Sequence, residues 1–136
     1  MPTINDIHMA SGPNEEAYVP EQLRAGDGDF LTRSEVFETG HGVIAQYTVV
    51  ARETASGKIV PWDPASADAG TAVALGVTCY AVDTTASDVD AAIYVGGFFN
   101  TDALVWPVGA TDAQKTAAFD GTNITHRTLW KSVPAA

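Results

Sequence analysis

Short apolar runs divided by turn residues dominate the chain, and they are densest between residues 57 and 107. Runs of that length, rich in β-branched and aromatic residues, predict strands. Across residues 72–82, Val73, Leu75, Val77 and Cys79 alternate with Ala74, Gly76 and Thr78. Both faces are apolar, which predicts the central strand of the core, with Gly76 marking a bulge or a close crossing. Burial there implies that Leu75→Ala costs ~2–5 kcal/mol. Residues 43–52 read as another strand, with Val43, Ala45, Tyr47 and Val49 sharing a face. A turn at 54–57 returns the chain through 58–62 as a hairpin, and Pro61, lacking an N–H, places that strand at a sheet edge or ends it. Residues 30–39 predict a strand that buries Phe30, Val36 and Phe37.

Downstream, residues 83–90 predict a polar loop and 91–95 a strand that Gly96 and Gly97 turn or bend. Asn100 to Asp102 predict a turn, and 103–106 a short strand stopped by Pro107. Residues 111–119 predict the one helix. Thr111 and Gln114 have capping-box spacing, Asp112 suits the helix dipole, and Gly121 stands just past the end. A helix so short needs the sheet for support, which points to Phe119 as its anchor. A last strand over 123–130 puts Ile124, His126, Thr128 and Trp130 on one face. Residues 1–29 contain three prolines and no persistent period. They predict an extended arm, either a frayed terminus or a segment whose scattered apolar residues anchor on a partner. The expected molecule is mainly β, a small β-barrel or sandwich-like domain with one short α-helix (30–136) behind an extended N-terminal arm (1–29).

Composition narrows the function. The net charge is −10, which argues against nucleic acid and against an anionic membrane surface, since both select Lys and Arg. No run approaches the ~18 apolar residues of a membrane helix. The first residues do not read as an export signal, and the single cysteine, Cys79, permits no internal disulfide, so synthesis in a reducing cytoplasm is expected. No nucleophile elbow, phosphate loop or zinc-ligand spacing is present, so neither an enzyme nor a cofactor is expected. Asp83, Asp88 and Asp90 on one loop leave metal-dependent catalysis as a remote alternative to a solvated turn. Trp62, Trp106 and Pro107 are candidate interface residues, although core packing explains both indoles equally well.

Several stretches, taken in order, carry a family resemblance. They are Leu23-Arg-Ala-Gly-Asp27, Ala55-Ser-Gly-Lys58 with Ile59-Val-Pro-Trp62-Asp63, and Val73-Ala-Leu-Gly76-Val. Tyr94-Val-Gly-Gly97-Phe-Phe99-Asn100, Asp102-Ala-Leu-Val-Trp106-Pro107 and Thr116-Ala-Ala-Phe119-Asp-Gly121-Thr-Asn-Ile124 follow. Over roughly residues 23–125 the chain resembles the head decoration proteins of tailed bacteriophages. The resemblance implies a homotrimer that binds the major capsid protein on the outer surface of the expanded virion shell, at three-fold sites, and stabilises the head. It implies an N-terminal arm that orders on the shell, and Ile4, Ile7, Tyr18, Val19 and Leu23 are the arm residues expected to make contact. A long acidic arm departs from the family pattern. The alternative is a β-domain displayed on a surface that binds a host cell through its 83–90 loop.

Overall fold

The computed structural model describes residues 22–26 and 29–128. Among the described residues eight strands are formed: β1 (Leu31–Phe37), β2 (Val43–Ile44), β3 (Val49–Arg52), β4 (Ile59–Pro61), β5 (Ala74–Thr78), β6 (Val82–Asp83), β7 (Val89–Asn100) and β8 (Asn123–Arg127). A 3-10 turn (Thr101–Ala103) and one helix, α1 (Asp112–Ala117), lie between β7 and β8. The sheet order is β1-β4-β3-β5-β7, and β1 pairs again with β7, which closes a small barrel. β8 adds to β7 in parallel. Parallel neighbours need a crossover, and residues 101–122, including α1, supply it. β2 and β6 form a separate ribbon. Among the described residues the mainly β expectation, with one short helix, holds.

β7 organises the fold. Its first half pairs antiparallel with β1, its middle also pairs with β5, and its second half pairs with β8. The sequence predicts a turn or bend at Gly96-Gly97; the twelve-residue strand continues through both, with its register against β1 slipping at Val95, where Leu31 faces Gly96 and Thr32 faces Tyr94. Glycine is present for space, not for a turn. A Cβ on Gly97 would lie 2.5 Å from the Phe30 ring, and its φ of +137° disfavours side chains.

The predicted strand over 43–52 is two strands, β2 and β3, separated by a kink. Tyr47 holds φ at +64°, rare for a residue with a side chain. Buried Thr78 holds the kink: its Oγ1 donates to Ala45 O (2.9 Å) and accepts from Thr48 N (2.9 Å). Val43, expected inside with Val49, is therefore exposed while Val49 is buried. Val36 is also exposed, because β1 turns Phe37 inward. Residues 103–106 are not a strand; Val105 makes a single bridge to Thr48.

β3 and β5 are buried on both faces. One cluster contains Val49, Ala51, Trp62, Val77, Phe99, Phe119 and Ile124; the other contains Phe37, Ile44, Val50, Ile59, Val82 and Ile93. The central strand spans five residues rather than the eleven expected. Its register slips between Gly76 and Ala74, which makes Leu75 the extra residue, and Gly76 passes with its would-be Cβ 2.5 Å from Tyr94 O. Leu75 is thus half-buried at a bulge, not at the centre of the core. Pro61 ends β4 as expected. Thr111 caps α1 in the full capping box, and Ala118 and Phe119 just beyond are buried.

Candidate functional site

Residues 22–25 lie antiparallel along the free side of the second half of β7. Arg24 bridges Phe99. Asn100 N donates to Leu23 O (2.7 Å) and Ala25 N donates to Phe98 O (2.9 Å). The buried Asn100 side chain completes the clamp: its Nδ2 donates to Gln22 O (2.7 Å) and its Oδ1 accepts from Asp102 N (3.2 Å). Gly26 passes so close to Phe98 that a Cβ would sit 2.5 Å from the ring. Leu23 packs on the first core cluster, and the Arg24 guanidinium lies 4.5 Å from the centre of the Phe30 ring. Phe30 stacks flat on Phe99 at 4.7 Å. The base of the arm is therefore built into the body. Of the five expected arm contacts, only Leu23 is described; Ile4, Ile7, Tyr18 and Val19 lie outside the described residues, as does Trp130. Asn100 reads in sequence as a turn residue. That reading holds for its Oδ1, which bonds Asp102 N two residues on, but the partner of its Nδ2, Gln22 O, is 78 positions away and has no local signal.

The second feature is the corner at Trp106 and Pro107. Trp62 is 3% exposed and its Nε1 donates to Ala72 O (3.0 Å). Trp106 meets it edge-on at 5.8 Å, and its own Nε1 donates to Thr101 O (3.0 Å). Both indoles are core supports. What reaches solvent is the loop they carry: Val105 and fully exposed Val108 flank half-buried Pro107. The sequence points to the tryptophans, whereas the structure offers the valines. A cleft of about 520 Å³ beside them is lined by Pro107, Val108, Trp62 and Asp68, among others. Asp68 fixes that wall. Its Oδ2 accepts from Thr54 N, Thr71 N and Thr71 Oγ1 at 3.1, 2.9 and 2.8 Å, and these bonds hold its carboxyl down at about 2.

His126 ties β8 to the crossover. Its Nε2 lies 2.8 Å from Lys115 O, which can only accept, so Nε2 carries the proton and Nδ1 accepts from Thr101 Oγ1 (2.8 Å). Burial lowers its pKa.

The acidic loop is tied down rather than gathered. Asp88 pairs with Lys58 (2.6 Å) and accepts from Thr39 N (2.9 Å), and Asp83 accepts from Thr85 N (2.9 Å). Both carboxyls are held below their usual range by these bonds. Among the described residues no three His, Cys, Asp or Glu side chains converge as metal ligands. No helix among them is long and apolar enough to cross a membrane. Cys79 is half-buried, and desolvation raises its pKa, the opposite of a reactive thiolate.

No curated protein matches the chain. A family model does: that of bacteriophage lambda head decoration protein D, over residues 14–127. The match begins ahead of Leu23, so it takes in part of the arm that the sequence motifs left unassigned. It continues through the clamp, the Trp106 corner and β8. A match over most of the chain fixes membership, and with it a structural role on the phage capsid: the chain belongs to the family of bacteriophage lambda head decoration protein D.

Proposed function

We propose that this protein binds the outer surface of the expanded phage shell as a homotrimer at three-fold sites and stabilises the head there, after synthesis in the host cytoplasm. The observation that carries this reading is the family match, which includes arm residues from 14 onward. The clamp at Asn100 supports it. A segment that leaves a fixed point can reach the major capsid protein with a defined direction and add a strand to an exposed sheet edge. Ile4, Ile7, Tyr18 and Val19 are its apolar anchors, while Leu23, packed on the first core cluster, holds the segment's root to the body. The loop around Trp106 and Pro107, with Val105 and Val108 at its tip, is the proposed contact between copies. Three arms on one trimer turn weak single contacts into stable occupancy.

The test is co-sedimentation with expanded capsids of the phage that encodes it. The full chain is expected to saturate the shell, and a chain lacking residues 1–22 is expected to lose most of that binding. Undiminished binding of the truncated chain would remove the arm from the mechanism. If neither chain binds shells but both coat host cells, the host-surface reading replaces this one.

A further inference from the structure

The cations of this acidic chain are distributed unevenly. Arg33 and Arg52 pair with Glu35, and Lys58 pairs with Asp88. Lys115 and Arg127 form no ion pair among the described residues. They rest instead near aromatic rings, Lys115 at 5.8 Å from Trp106 and Arg127 at 5.4 Å from Phe98. Both line one open cleft of about 440 Å³, between α1 and the end of β8, together with Thr101, Thr116, His126 and a single acid, Asp112. Its charged side chains sum to a net positive site, with hydroxyl groups around it, on a molecule of charge −10. Its chemistry suits carboxylates.

The described chain begins beside this cleft. Arg24 opposite Phe99, in antiparallel register, carries Gln22 to the level of Thr101, which lines the cleft. Arg127 pairs with Asn100, the residue whose side chain holds Gln22 O. Residues 1–21 contain Asp6, Glu15, Glu16 and Glu21 and no Lys or Arg. Glu21 adjoins Gln22, and six residues of extended chain span up to about 20 Å, enough to bring Glu16 over the cleft.

We propose that the cleft between α1 and β8 holds the acidic segment of the chain's own arm, through Glu15, Glu16 and Glu21 on Lys115 and Arg127, while the protein is free in solution. Docking there keeps the arm from other partners until a stronger site competes for it. The proposal concerns the free protein and stands whether or not trimers or three-fold sites are found.

The test compares amide NMR shifts of the full chain with those of a Glu15→Gln, Glu16→Gln, Glu21→Gln variant, whose substitutions lie outside the described residues. At low salt, amides of Lys115, Thr116 and Arg127 are expected to differ between the two chains. In 0.5 M NaCl, which screens surface pairs, the cleft shifts are expected to converge. The reciprocal variant, Lys115→Gln with Arg127→Gln, is expected to move the amides of residues 15–21. Differences confined to the substituted residues and their chain neighbours would overturn the proposal. So would cleft shifts that vanish on fifty-fold dilution, since the occupant would then be another copy's arm.

Discussion

Two glycines of similar appearance in the sequence carry different weights. Gly57 has φ +72° with open space around its would-be Cβ, whereas Gly97 has φ +137° and meets the Phe30 ring at 2.5 Å. Gly57→Ala is expected to cost about 1–2 kcal/mol from backbone strain alone. Gly97→Ala adds a clash within a packed cluster and is expected to cost on the order of 3 kcal/mol. Urea titration of both variants checks the ordering, and equal losses would contradict the packing at Phe30. Asn100→Ala leaves Gln22 O without its buried donor and is expected to cost ~1–3 kcal/mol. Hydrogen exchange at Ala25 should accelerate with it. Asp68 carries a pH prediction. Its folded pKa of about 2 lies below the unfolded value of 3.8, so its contribution is present above pH 4 and is lost as pH falls from about 4 to about 2. Asp68→Asn is expected to flatten the stability profile in that window. His126, also lowered, acts higher: stability falls as pH drops below about 6.5, because the unfolded chain takes up the proton first.

At the level of elements, the central strand is shorter and more irregular than its composition suggests. Leu75 occupies the bulge of β5 and lines an open cleft. Leu75→Ala is therefore expected to fall below the ~2–5 kcal/mol of a core leucine, at about 1–2 kcal/mol. Phe99, fully buried on β7 and stacked on Phe30, is the position where ~3–5 kcal/mol is expected. Thermal melts of Leu75→Ala and Phe99→Ala decide between β5 and β7 as the structural centre. The helix was legible because its signals are local. Thr111 and Gln114 bond each other's backbone N–H at 3.1 and 2.9 Å within one turn. The kink at Tyr47 was not legible, because a threonine thirty residues away holds it.

At the scale of the molecule, the barrel seam is uneven. β1 and β4 share one register pair, Phe37 with Ile59, while β1 and β7 pair along seven residues. A charged contact bridges the weak side: Arg52 on β3 clasps Glu35 on β1 with two bonds, at 3.1 and 2.9 Å, while Lys58, just before β4, reaches Asp88, just before β7. Glu35 is only 15% exposed, and its bond to Arg52 holds its carboxyl below the usual range. Glu35→Gln is expected to cost on the order of 1 kcal/mol and to speed exchange at β4 amides more than at β8. Uniform acceleration would show that the seam opens only with the whole barrel. For assembly, light scattering behind a sizing column is expected to give three times the 14.2 kDa of one chain. A mass of one chain would move trimer formation onto the shell.

The fold class, the family, the hairpin at 54–57, the capped helix and the closeness of the chain at Gly76 were legible from the order of residues. Each rests on neighbouring residues or on an ordered set of short motifs. Tertiary structure alone decided that Gly96-Gly97 lies within a strand, that Val36, Val43, Val105 and Val108 face solvent, and that Asn100 fixes the base of the arm. The physical reason is common to all three. A backbone or an apolar side chain has several local conformations of similar free energy, and the choice among them is made by partners that only the closed barrel brings within reach.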